Sequence, residues 1–83
     1  MSQNYPNPFN PVTNIIFKMK EDNQVTIRIF DILGREVATL VERKMKAGTH
    51  TISFNATELP SGIYLYSMDT GSFREVKKMV VIK

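Results

Sequence analysis

Few side chains in this 83-residue chain could do chemistry. It has no cysteine and one histidine, His50. A thiolate metal site, a disulfide and a Cys–His nucleophile pair are therefore excluded. His50 alternates with Ile52 and Phe54 and has no second ligand at metal spacing, so it reads as a half-buried residue satisfied by its surroundings. Asp22, Asp31 and Asp69 each stand at the start of a turn, where a carboxylate accepts local backbone hydrogen bonds; that role explains all three. No serine lies in a nucleophile elbow, and no glycine-rich loop could cradle a phosphate. The residues point away from an enzyme, and they offer no set of groups for a metal or a cofactor.

Three further motifs have a chemical reading and a structural one. Pro8-Phe9-Asn10-Pro11 has the form of a polyproline ligand, but a strand pattern begins directly after it, so it reads as bound within its own chain. Asn55-Ala56-Thr57 matches a glycosylation acceptor, and the same residues suit a loop. Tyr64 and Tyr66 could stack on nucleic acid bases. No basic groove accompanies them, and a core position fits them better.

Composition bounds the rest. A chain of this length forms one domain with one core, burying only about 60% of its unfolded surface. The hydrophobic fraction of 42% is that of a globular protein, and the net charge of +3 is too small for a nucleic-acid-binding composition. The basic excess is mostly C-terminal, at Arg74, Lys77, Lys78 and Lys83 against Glu75. Small extracellular domains often carry disulfides, so their absence leans toward the cytosol. No run approaches the roughly 18 apolar residues of a membrane-spanning helix. Met1-Ser2-Gln3 leads straight into a proline motif, with no charged and apolar regions of a signal peptide, so the chain reads as a module cut from something longer.

The elements that must position these residues are strands. Residues 12–20 alternate, with Ile15, Phe17 and Met19 on the more apolar face. Residues 24–30 give the cleanest period of two, with Val25, Ile27 and Ile29 against Thr26 and Arg28. Asp31-Ile32-Leu33-Gly34 has the type I turn signature, with Gly34 free to take positive φ. Its aliphatic tip should pack partly or meet a partner. Residues 35–41 form a third strand, with Val37 and Val41 on one face and Ala38 and Leu40 on the other; a helical spacing is also possible there. Residues 42–48 read as a charged connection, and 49–54 as a fourth strand. Leu59-Pro60-Ser61-Gly62 is a turn feeding a fifth strand, 63–69, apolar on both faces and so expected to be buried on both. The spacing Leu59-Pro60-x-Gly62-x-Tyr64 matches a tyrosine corner, in which a tyrosine hydroxyl bonds to upstream backbone. A last strand over 73–82 turns apolar at Met79-Val80-Val81-Ile82 and presents itself and its end for recognition, for instance by a strand added beside it. Six strands in series with regular turns predict a small antiparallel immunoglobulin-like β-sandwich of about six to seven strands.

The opening is different. Asn4-Tyr5-Pro6-Asn7-Pro8-Phe9-Asn10-Pro11 holds three of the four prolines, so it cannot be a helix and is a poor central strand. Residues 1–11 are expected to be an extended lead-in, with Tyr5, Pro6, Pro8 and Phe9 anchoring it on the sandwich of residues 12–83.

Taken in order, Asn4-Tyr5-Pro6-Asn7-Pro8-Phe9-Asn10-Pro11, Val25-Thr26-Ile27-Arg28-Ile29-Phe30-Asp31-Ile32-Leu33-Gly34-Arg35-Glu36-Val37, Ala47-Gly48-Thr49-His50, Leu59-Pro60-Ser61-Gly62-Ile63-Tyr64 and Lys78-Met79-Val80-Val81-Ile82-Lys83 resemble the type A C-terminal sorting domain of type IX secretion cargo. Residues 25–64 alone are also similar to the immunoglobulin-like domain of flagellar hook-capping proteins. The resemblance implies a non-enzymatic signal at the end of a secreted or cell-surface protein, which crosses the periplasm and then the outer membrane. It implies an N-terminal cargo, recognition by the type IX translocon, and removal by a sortase-like protease. Carried over residue by residue, the recognition positions are Gly62, Tyr64, Lys78, Val80 and Lys83. Two other readings stay open: a structural accessory domain of a surface or flagellar assembly, with Ile32 and Leu33 as contacts, and a carbohydrate-binding module. The last needs Tyr5, Phe9, Tyr64 and Tyr66 exposed on one flat face.

Overall fold

The computed structural model describes residues 12–71 and 73–82. They form six strands and no helix: β1 (Val12–Met19), β2 (Asn23–Asp31), β3 (Glu36–Met45), β4 (Gly48–Asn55), β5 (Gly62–Asp69) and β6 (Arg74–Val81). Every pairing is antiparallel. β1 and β4 make one sheet; the other has the order β3-β2-β5-β6. The expected small immunoglobulin-like sandwich is therefore the fold. The anchors Tyr5, Pro6, Pro8 and Phe9, and the terminal Lys83, lie outside the described residues.

The period-two patterns set the core. Thr13, Ile15, Phe17 and Met19 of β1 face inward, opposite Val25, Ile27 and Ile29 of β2 and Tyr64, Tyr66 and Met68 of β5. The interior has two lobes. Ile15, Ile29, Phe54, Tyr64, Tyr66, Met79 and Val81 fill one. Phe17, Met19, Val25, Ile27, Val41, Met45 and Met68 fill the other, and Leu40 touches both. Each large side chain buried this way contributes about 1.5–3 kcal/mol, which is how a chain without disulfides holds two thin sheets together.

β3 departs most from the sequence reading. Its register with β2 passes from Ile27↔Val41 to Arg28↔Thr39, and from Ile29↔Ala38 to Phe30↔Glu36. Leu40 and Val37 are thus extra residues in two β-bulges. The bulges change the side-chain phase: Ala38 and Leu40 pack on the core with Val41, and Val37 faces out, where simple alternation put Val37 on the same face as Val41 and opposite Ala38 and Leu40. The strand also runs on to Met45, so Glu42, Arg43 and Lys44 belong to it and not to a connection. A charged run is tolerated because β3 is an outer strand of the sheet, and buried Met45 fastens its end.

The β2–β3 turn has the predicted chemistry. The Gly34 amide donates to the Asp31 carbonyl at 3.0 Å, and Gly34 takes φ +85°, a three-residue loop closed by a glycine in the left-handed region. Asp31 Oδ1 accepts from the Leu33 and Arg35 amides at 3.0 and 2.9 Å, and Arg35 Nε lies 2.7 Å from Asp31 Oδ2. The Arg35 amide foremost, then the Arg35 guanidinium and the Leu33 amide, hold the Asp31 carboxyl below its usual range against an opposing push from desolvation. The unfolded chain then binds the proton more readily, so this contribution is present above the ordinary Asp range and is lost as pH falls through the lowered native value. An NMR titration of the Asp31 carboxyl should show a midpoint below that of an unstructured Asp. Asp31→Asn should weaken the loss of stability on acidification.

Asp22 behaves differently from the expectation of a local turn bond. Asp22 Oδ1 accepts from the Ala47 amide at 2.8 Å, tying the β1–β2 turn to the β3–β4 turn, because both lie at the same end of the sandwich. Asp69 Oδ1 lies 3.5 Å from Arg74 Nε across the β5–β6 turn.

Candidate recognition site

β5 and β6 bring four of the five predicted recognition residues into one block of ladder. Gly62 pairs with Val81, Ile63 with Val80, Tyr64 with Met79 and Leu65 with Lys78. The pleat then separates them. Tyr64 faces the core beside Met79, whereas Lys78 and Val80 belong to the outer face of the four-stranded sheet. Lys83, the fifth, is outside the described residues.

Tyr64 holds the local geometry. Its hydroxyl donates to the Pro60 carbonyl at 2.8 Å, the tyrosine corner that the spacing predicts. This fastens the Pro60 loop to the core at the point where β5 begins. Upstream, the Asn55 carboxamide accepts from the Thr57 amide at 2.9 Å and from the Thr57 hydroxyl, and the Leu59 amide donates to Ala56 O at 3.0 Å. Ala56 between them is buried. Asn55-Ala56-Thr57 is therefore an Asx-turn that carries the chain from β4 toward the corner.

The outer face around Lys78 is more apolar than the sequence reading allowed. β1 and β4 pack on the face bearing Tyr64, Tyr66 and Met68, and the described residues place no second layer on the other. Ile63 is 44% exposed, Val76 and Ile82 are similarly exposed, and Leu65 and Val80 are half-buried. The expectation that β5 is buried on both faces is corrected accordingly. Lys78 is an exposed cation within this strip, between Val76 and Val80 along β6. The signal was present in the sequence as the apolar second face of β5, and burial was the wrong inference from it. A second apolar feature lies at the same end of the sheet. Ile32 and Leu33, 72% and 75% exposed, do not pack on the domain. Exposed apolar side chains of this kind make both places candidate contact sites.

The remaining candidates resolve as structure. His50 Nε2 donates to the Lys46 carbonyl at 2.7 Å, and its ring stacks on Phe17 with centroids 5.4 Å apart. It is the half-buried, satisfied residue that its alternation suggests. Tyr64 and Tyr66 are both core residues, so neither ring is available to stack on a base or a sugar. Among the described residues, no three His, Asp or Glu side chains gather to hold a metal ion, and no helix is long and apolar enough to cross a membrane.

The family model described as "Secretion system C-terminal sorting domain" matches residues 3–83. No curated protein and no solved structure matches the chain.

Proposed function

The chain belongs to the family of secretion system C-terminal sorting domains, and from that premise we propose that it directs an N-terminal cargo through the type IX secretion system across the outer membrane. The cytosolic lean of a cysteine-free composition gives way here, because a sorting domain implies a protein exported to the surface or beyond. The translocon reads the module at its last strand. Lys78 and Val80 on the outer face of β6, with Lys83 beyond, make the contact. Gly62 and Tyr64 act from behind, by fixing where β5 starts and hence the register of β6. The partner surface is apolar, to cover Ile63, Leu65, Val76, Val80 and Ile82, and bears a carboxylate to meet Lys78. A sortase-like protease then removes the module as the cargo is attached at the surface.

The observation that carries this reading is the extent of the match, which includes both the proline opening and the terminal strand and so favours the sorting module over an assembly domain that shares only residues 25–64. The test is a fusion of residues 1–83 behind a periplasmic reporter that has its own signal peptide, expressed in a bacterium with a type IX system. The reporter is expected at the cell surface or in the medium, shortened by the module, and in the periplasm when the translocon gene is deleted. A reporter that stays periplasmic with the system intact, or leaves equally well without it, overturns the reading.

A further inference from the structure

Among the described residues four strands border the two sheets, and they differ in charge. β1 carries Lys18, β3 carries two bulges and the run Glu42-Arg43-Lys44, and β6 carries Arg74, Lys77 and Lys78. Charges and bulges on an outer strand discourage a further strand from pairing there. β4 has neither. From Gly48 to Asn55 it holds no Asp, Glu, Lys, Arg or Pro, and its register with β1 is unbroken from Val12↔Asn55 to Met19↔Gly48. Its β-branched Thr49, Thr51 and Ile52 suit a strand paired on both sides. We propose that two copies of the domain join through β4, antiparallel about Thr51, so that the two-stranded sheets merge into one of four strands.

Burial supplies a second reason. The core-facing residues of β1, Thr13, Ile15, Phe17 and Met19, are all buried. On β4 the core-facing His50 and Ile52 are only half-buried, as are Ala38 and Leu40 on β3. These four residues belong to one flank. The two-residue connection Lys46-Ala47 joins β3 directly to β4 across the sheets, and Leu40 and Ile52 pack on the same lobe. The core is therefore less closed where β4 stands over β3. A strand added beside β4 brings its own core-facing side chains next to Ile52 and extends the cover.

Register and charge select a second copy as the occupant. Residues directly opposite one another in an antiparallel pair share a face. For both cores to lie on one side of the merged sheet, a strand pairing with itself must centre on a residue, and Thr51 is the middle of the run from Gly48 to Phe54. Thr51 then meets its own counterpart on the outer face, and Thr49 meets that of Ser53, pairs whose hydroxyls suit side-by-side hydrogen bonding. On the inner face His50 meets the counterpart of Ile52. No like charges are set against each other. The net charge of +3 resists association most where its basic excess lies. Arg74, Lys77 and Lys78 are on β6, across the four-stranded sheet from β3 and hence from β4. The second copy stands away from the outer face around Lys78, so the inference is independent of how the translocon reads that face.

A mixture of isotope-labelled and unlabelled copies of the whole chain tests this. Sedimentation should give a mass that rises with concentration to twice that of the chain. Isotope-filtered NMR should show contacts between copies over Thr49 to Ser53, in antiparallel order about Thr51. Thr51→Lys sets like charges opposite one another at an exposed position. It should weaken association about tenfold or more while the amide spectrum stays that of the folded domain. A chain that remains monomeric to millimolar concentration, contacts between copies that spare β4, or contacts along the outer side of β4 from within the same chain each overturn the proposal. So does a folded Thr51→Lys that associates as tightly as the original.

Discussion

Replacing Tyr66 with alanine is expected to bring the domain to the edge of unfolding. Tyr66 is fully buried, at 0% exposure, in β5, which lies between β2 and β6. It stands opposite Ile29 on one side and Lys77 on the other, and it packs in the lobe that holds β1 and β6 against the sheet. Truncating a buried aromatic of this size costs about 3–5 kcal/mol. A domain of 83 residues has roughly 4–12 kcal/mol in total at typical per-residue stabilities. The change therefore removes between a quarter and all of the stability, and no disulfide limits the loss. With a slope of about 1.2–1.5 kcal/mol/M for a small protein, the urea midpoint should fall by about 2–4 M. Tyr66→Phe, which keeps the ring, should fall far less. A Tyr66→Ala midpoint within about 0.5 M of the original would mean that the lobe closes over the gap, and the account of the core would be wrong.

Much of the core was legible in the sequence. Alternation set Val25, Ile27 and Ile29 on one face of β2 and Tyr64, Tyr66 and Met68 on one face of β5, and all six are buried, because a strand half-buried in a sandwich must alternate. The spacing from Leu59 to Tyr64 gave the tyrosine corner, since turn chemistry and a hydroxyl at a fixed offset are local facts. β3 was not legible. A bulge is an agreement between two strands, so nothing within residues 35–45 marks Leu40 and Val37 as extra, and the face assignment failed there. Asp22 illustrates the same limit, since its acceptor role depends on a turn 25 residues away. The function was hidden for a different reason. A recognition surface needs no catalytic group, and a strip of aliphatics around one lysine has no chemical signature. The order of several motifs along the chain identified the family, and the register of β5 and β6 then brought Gly62, Tyr64, Lys78 and Val80 into one block of ladder.

Reversing the charge at Lys78 is expected to hold cargo in the periplasm while leaving the domain folded. Deleting residues 78–83 looks like the more direct experiment, and the structure shows why it is not. Met79 and Val81 point inward and are fully buried, and the deletion also strips Gly62, Ile63, Tyr64 and Leu65 of their β6 partners. Losing either buried side chain alone would cost about 2–5 kcal/mol, so a truncated fusion would fail through misfolding whatever the translocon reads. Lys78→Glu avoids this, because the side chain is exposed on the outer face and such substitutions typically shift stability by no more than about 0.5 kcal/mol. Opposite a partner carboxylate, removing or reversing one member of a desolvated charge pair costs about 2–5 kcal/mol, so delivery of the reporter should fall about thirty-fold or more. Lys78→Arg, which keeps the charge, should retain most of it. The discriminating measurement pairs the two readouts on one fusion: an unchanged urea midpoint with reporter trapped in the periplasm assigns Lys78 to recognition. An unchanged midpoint with normal surface delivery would remove the outer face from the mechanism and return attention to the hairpin tip at Ile32 and Leu33, the most exposed large apolar side chains among the described residues.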